Sequence, residues 1–154
     1  MSQFVVEDLE RTLAPFRGDA SAILRALHAT QSELSFVPDS ALDVIAKTCN
    51  VSRAEVYGVF TFYSDFRSTP PAACVVKVCV AEACQANGSR ELVADLKSQG
   101  YDVHTGKAVD GVQVEQAFCL GNCALGPAAY VNGHPVGRAT ADSILATARE
   151  VTQK

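Results

Sequence analysis

Four of the six cysteines in this 154-residue chain form two closely spaced pairs, Cys79 with Cys84 and Cys119 with Cys123. Each pair follows directly on a predicted strand, and loops at strand ends can converge on one point. Four thiolates at one point hold either a zinc ion or a two-iron, two-sulfide cluster. A two-iron cluster needs its ligands farther apart than one zinc ion does. The two pairs have four and three residues between their cysteines, more than the two that are commonest in zinc sites, so the spacing favours [2Fe–2S]. Zinc-stabilised scaffolding is the alternative.

The remaining cysteines, Cys49 and Cys74, are predicted to be buried apolar side chains. Cys74 and Cys79 stand five positions apart on one strand, so their side chains point to opposite faces and compete for one ligand role. Cys79, at the exit of the strand, is the better ligand. A redox dithiol would need Cys-x-x-Cys, and a Rieske centre would need histidines near the pairs, neither of which the sequence contains.

The loop that joins Cys119 to Cys123 has a composition suited to a negatively charged cluster. Gly121 and Asn122 tolerate positive φ, which allows successive N–H groups to point at sulfur, and Gly126 before a proline fixes the exit. The run 117–137 contains no Asp, Glu, Lys or Arg. A carboxylate there would oppose reduction of the cluster.

The elements that must position these residues follow a strand and helix pattern after residue 73. We predict strands over 74–79, 101–104, 112–118 and 128–131, a helix over 91–98 capped by Ser89, a hairpin at Asn132-Gly133 and a terminal helix capped by Thr140. This order predicts an α/β or α+β layer of the thioredoxin-like kind in residues 74–154.

Residues 1–67 have helical periodicity and predict a small bundle, joined by a linker at 68–73. Ser52 and Glu55 form a predicted capping box, and Asn50 is predicted to end the preceding helix. The aromatic row Phe60, Phe62, Tyr63 and Phe66 is expected to be core rather than a cofactor site. The apolar remainder of the bundle is expected to serve docking of a partner.

Charge and motifs exclude several classes of function. The net charge is −4 without a basic cluster, which disfavours nucleic acid. The segment 42–56 resembles a helix-turn-helix, which leaves an iron–sulfur regulator as an unfavoured alternative. G-x-G-x-x-G and P-loop motifs are absent from the sequence, so no dinucleotide or nucleotide triphosphate site is visible in it. The electrons of the cluster must therefore come from a partner.

The sequence contains neither a secretory pattern nor an apolar span. We therefore expect a cytoplasmic chain with no membrane insertion.

Several short segments carry a family resemblance. The segment 56–63 followed by Phe66, with Val78-Cys79, Ala83-Cys84-Gln85 and the loop 119–123, resembles the thioredoxin-like [2Fe–2S] subunit of respiratory NADH dehydrogenase and its hydrogenase and formate dehydrogenase relatives. Glu82-Ala83-Cys84-Gln85 and the segment 119–127 are most similar to the gamma subunit of molybdenum-containing, NAD-dependent formate dehydrogenase. The resemblance implies a thioredoxin-like cluster domain, an FMN-, [4Fe–4S]- and NADH-binding partner, and a molybdenum-containing catalytic subunit.

Overall fold

A computed structural model describes residues 3–152 of the chain, with side chains from residue 8 onward. Residues 1, 2, 153 and 154, which the predicted domain bounds include, lie outside the described residues. The chain divides into two compact units between Pro71 and Ala72. This division falls within the segment 68–73 that the sequence analysis treats as a linker.

The first unit consists of four helices, α1 (Gln3–Leu13), α2 (Ile23–Leu34), α3 (Asp39–Cys49) and α4 (Arg53–Phe62). The capping box at the start of α4 is present, with Ser52 and Glu55 bonded reciprocally, and Asn50 ends α3 with φ 56°. The core is built from apolar side chains of all four helices: Leu9, Leu13, Ala26, Leu27, Leu42, Ile45, Cys49 and Val56. Cys49 is buried, as predicted.

The aromatic row at the end of α4 divides between core and surface. Phe66 is buried and Phe60 packs partly against the core, as predicted. Phe62 is 80% exposed and Tyr63 is 43% exposed, so the prediction that the whole row is core is wrong. The physical reason is that α4 ends at Phe62 and Tyr63 is already extended (φ −93°, ψ 112°), so the helical periodicity that buries Val56 does not continue through these two residues.

The second unit contains a four-stranded mixed sheet in the order β2-β1-β3-β4. Its strands are β1 (Cys74–Cys79), β2 (Val112–Ala117), β3 (Ala129–Val131) and β4 (His134–Val136). β1 pairs with β2 in parallel and with β3 antiparallel. β3 and β4 form the predicted hairpin, in which Asn132 and Gly133 both have positive φ.

Three helices complete this unit: α5 (Glu82–Ala86), α6 (Ser89–Ser98) and α7 (Ala141–Thr152). α6 and α7 cover the face of the sheet on which Cys74, Val76 and Val78 lie. Cys74 is therefore a core residue, as predicted. The Thr140 side chain accepts a hydrogen bond from Ser143 N–H at 3.2 Å, which confirms its predicted cap.

Two local predictions for this unit are wrong. Residues 101–104 do not form a strand, because the chain bends into a turn at 103–106, where the Asp102 carboxylate accepts a hydrogen bond from His104 N–H. The same bond is the largest influence that holds the pKa of Asp102 below its ordinary value. Ser89 lies inside α6 and does not cap it, since Gly88 occupies the cap position with φ 99°.

None of the helices in residues 3–152 combines the length and apolar composition of a bilayer span.

Candidate metal centre

Parallel pairing of β1 and β2 brings the two cysteine pairs to one edge of the sheet. Cys79 is the last residue of β1, and its partner in the register is Ala117, the last residue of β2. Cys119 follows Ala117 by two positions, so the connections that carry both pairs leave the sheet at the same end. This is the arrangement that the sequence analysis expected for loops at strand ends.

Cys84 is carried by α5, a five-residue helix that the sequence analysis missed. The signal was present in the helix-forming residues of 82–86 and in the Asn87-Gly88 stop that follows. Cys84 is buried, and its thiol is hydrogen-bonded to the thiol of Cys79. The two buried thiols of the site are therefore in contact with each other.

The environment of Cys84 acts on its thiol in two directions. Burial raises the pKa of the Cys84 thiol above its ordinary value, and the Cys79 and Cys123 thiols raise it further. The Ala128 backbone N–H donates to the Cys84 sulfur and lowers the pKa. An amide directed at sulfur is the type of contact by which a protein stabilises a thiolate ligand.

The loop from Cys119 to Cys123 is exposed at both cysteines but anchored between them. Leu120 packs against the buried cluster of Cys79, Cys84 and Ala128, which holds the loop over the first cysteine pair. Gly121 has φ 76°, the positive value that a glycine tolerates at this position. Asn122, at φ −103° and ψ 43°, does not share that conformation, because the chain enters a 3₁₀ turn at Cys123–Leu125.

The exit of this loop is fixed by tight packing and backbone bonds. Gly126 N–H donates to the Cys123 carbonyl at 3.2 Å, and a Cβ on Gly126 would lie 3.4 Å from both that oxygen and the Asn87 Cβ. Gly137 lies against Leu125, where a Cβ would come within 2.7 Å of the Leu125 Cβ. Arg138 N–H donates to the Leu125 carbonyl at 2.7 Å. The loop is therefore attached to the connection that leads into α7.

Two side chains support the segment between Cys79 and Cys84. The buried Ser89 hydroxyl donates to the Cys79 carbonyl at 2.5 Å across ten positions of sequence. Gln85 Nε2 donates to the Val80 carbonyl at 2.6 Å, and Arg90 Nε donates to Gln85 Oε1 at 2.9 Å. The sequence analysis did not identify these roles, since no local pattern reveals which carbonyl a distant side chain reaches.

The structure thus places the Cys79 and Cys84 thiols in contact and carries Cys119 and Cys123 on the loop that leaves the same end of the sheet. Among the described residues, no three His, Cys, Asp or Glu side chains stand close enough to form a site for a single metal ion. The donor set is four thiols beside a charge-free run, with an amide directed at one sulfur. This chemistry fits an iron–sulfur cluster, whose two irons each take two of the thiolates.

Comparison with known proteins agrees with the donor set. The family model described as thioredoxin-like [2Fe–2S] ferredoxin matches residues 9–152. A subunit of the NADH-quinone oxidoreductase of Pseudomonas aeruginosa is 26% identical over 148 residues, which cover 92% of this chain and 89% of that protein. A subunit of the NADH-quinone oxidoreductase of Thermus thermophilus is 31% identical over 149 residues, or 92% of this chain and 82% of the relative.

Hydrogenases also match. A subunit of the NADP-reducing hydrogenase of Solidesulfovibrio fructosivorans is 30% identical over 120 residues, covering 77% of this chain and 70% of that subunit. The crystal structure of an NAD⁺-reducing [NiFe]-hydrogenase in the air-oxidised state superimposes with a TM-score of 0.68 and 25% identity over 86% of this chain. The chain spans 23% of the length of that hydrogenase chain.

Replacement of Ser89 tests the support behind Cys79. Ser89→Ala leaves the buried Cys79 carbonyl without its side-chain donor, so we expect the free energy of unfolding to fall by about 1–3 kcal/mol. Ser98→Ala, at an exposed position of the same helix, is the control and should change it by less than about 0.5 kcal/mol. Urea denaturation measures both variants. Equal stability of Ser89→Ala and the unsubstituted chain would show that the hydrogen bond does not support the strand end.

Proposed function

The chain belongs to the thioredoxin-like [2Fe–2S] ferredoxin family, and from that premise we propose that Cys79, Cys84, Cys119 and Cys123 hold its single [2Fe–2S] cluster. The observation that carries this assignment is the convergence of both cysteine pairs at the shared end of β1 and β2. Cys49 and Cys74 lie in the two apolar cores and take no part.

The four proposed ligands differ in their environments, and so do the roles we assign to them. When bound, the cluster supplies a centre that accepts and releases one electron at a time. Cys79 and Cys84 are buried and would hold the inner side of the site, whereas Cys119 and Cys123 are exposed and face an approaching partner. Gly121, Asn122 and Gly126 would shape the backbone of the outer loop.

Single replacement of each of the six cysteines by serine tests the ligand set. Loss of a thiolate ligand should abolish or severely reduce iron content and the EPR signal of the reduced protein for Cys79, Cys84, Cys119 and Cys123. Cys49→Ser and Cys74→Ser are the controls and should keep the cluster, with an effect on stability at most. Full retention of iron by Cys84→Ser or Cys119→Ser would refute the assignment, as would cluster loss confined to Cys74→Ser.

As its biological role, we propose electron transfer within a multi-subunit NAD-dependent formate dehydrogenase. The named relatives are subunits of NADH-quinone oxidoreductases and of an NADP-reducing hydrogenase, which supports an NAD(P)-linked oxidoreductase complex as the setting. The segments 82–85 and 119–127 favour formate dehydrogenase within that group. The partners would be a subunit with FMN, [4Fe–4S] and NADH sites, and a molybdenum-containing subunit that oxidises formate. We propose a cytoplasmic setting for this complex, as the sequence predicts.

The helical unit offers a surface for the flavin subunit. Phe62 is 80% exposed, and Tyr63, whose ring lies edge-on to it with centroids 5.1 Å apart, is 43% exposed. Phe62 and Tyr63 line a groove of about 540 Å³ whose other walls are Ile23, Glu55, Gly58 and Val59. An exposed aromatic group of this kind is typical of a protein contact. We therefore assign docking of the flavin subunit to this aromatic groove.

Affinity purification of the tagged chain from its native host tests both the parent complex and the docking surface. We expect a flavin subunit and a molybdenum subunit to co-purify, and Phe62→Ser to reduce their recovery at least tenfold while iron content stays unchanged. Phe118→Ser provides a comparison, because Phe118 is 74% exposed but lies beside Cys119. Loss of partners with Phe118→Ser alone would move docking to the cluster unit. A partner set without molybdenum would contradict the formate dehydrogenase assignment and favour a hydrogenase or NADH dehydrogenase.

A further inference from the structure

Tyr130 connects the sheet to the outer ligand loop. Its neighbours Ala129 and Val131 are fully buried in the core, so the alternation of β3 directs Tyr130 to the opposite face. Tyr130 pairs with Lys77 in the register, and that face is the one from which Cys79 also projects. The Tyr130 hydroxyl donates to the Leu120 carbonyl at 3.2 Å.

The outer ligand loop has two halves with different support. Residues 122–126 form their own turn, in which Leu125 N–H donates to the Asn122 carbonyl at 3.1 Å, and Arg138 N–H holds the Leu125 carbonyl. In residues 118–121, the Tyr130 hydroxyl bonds to the Leu120 carbonyl, and the Leu120 side chain packs on the inner cysteine cluster. The first half of the loop, which carries Cys119, is therefore held at Leu120 by one hydrogen bond and one apolar contact.

We propose that Tyr130 is a positioning residue of the metal centre, whose hydroxyl holds the Cys119 side of the ligand loop against the sheet. The inference rests on the proposed ligand set. Leu120 links the two, because its side chain packs on the buried cluster of Cys79, Cys84 and Ala128 while its carbonyl accepts the Tyr130 bond. Loss of the hydroxyl frees the backbone next to Cys119 and leaves the turn at Cys123 intact.

A purely structural role for Tyr130 would lie in its ring, which is half-buried and has Pro135 as its neighbour in the β3–β4 register. Tyr130→Phe keeps the ring and removes only the hydroxyl, so it separates packing from loop positioning. Tyr101→Phe is the matched control. Tyr101 is also half-buried and packs on the core of the same unit, and no side-chain hydrogen bond of Tyr101 occurs within the described residues.

The experiment uses the full-length, cluster-loaded protein and compares the two variants with the unsubstituted chain. The rate of iron release to an excess of chelator, the EPR spectrum of the dithionite-reduced protein and the urea midpoint are measured for each. Loss of one net hydrogen bond predicts about fivefold faster iron release for Tyr130→Phe. We expect its EPR g-values to change and its urea midpoint to fall only slightly, as the loss of one partly buried hydrogen bond requires, while Tyr101→Phe behaves as the unsubstituted protein.

Three outcomes would overturn the proposal. Tyr130→Phe could release iron at the unsubstituted rate with an unchanged EPR spectrum, or both variants could accelerate release equally. A fall in the urea midpoint with an unchanged EPR spectrum would assign Tyr130 a general structural role. Cys119→Ser, measured in parallel, separates this inference from the ligand assignment. Its retention of a complete cluster would refute the ligand set, whereas cluster loss together with normal Tyr130→Phe would refute the positioning role alone.

Discussion

The parallel pairing of β1 with β2 is the constraint on which the site depends. A parallel pair places the carboxyl ends of both strands at one edge, and it requires a crossover long enough to return the chain. α5 and α6 lie in that crossover, so the same connection that closes the sheet also carries Cys84. A slip of one residue in this register would direct Cys79 into the core and Cys74 out of it.

The site combines a rigid inner side with an accessible outer side. The inner cysteines are buried beside an amide donor and are backed by Ser89. The outer cysteines stand on a loop that is exposed but attached at its exit to the chain before α7. A protein that exchanges electrons with a partner needs both properties, because the centre must be held firmly and still be approached closely. The run 117–137, which contains both outer cysteines, contributes no carboxylate of its own to the outer side.

Sequence reasoning succeeded where the signal is local or periodic and was less complete where it is tertiary. The bounds of β1, the capping box at Ser52 and the Asn132-Gly133 hairpin follow from patterns of a few residues. Ser89 was misassigned because its hydroxyl bonds to a strand end rather than to its own helix. Phe62 was misassigned because composition alone does not reveal which aromatic side chains a helix turns to the surface. The four proposed ligands were predicted from spacing, but the hydrogen bond from Tyr130 to the ligand loop is visible only in the structure.

Diffraction at the iron absorption edge, from crystals of the full-length cluster-loaded chain, tests the central claim most directly. The account predicts two iron peaks at the shared carboxyl end of β1 and β2, bonded to Cys79, Cys84, Cys119 and Cys123. A single metal peak, or iron bonded to Cys74 or Cys49 in place of one of these four, would contradict it.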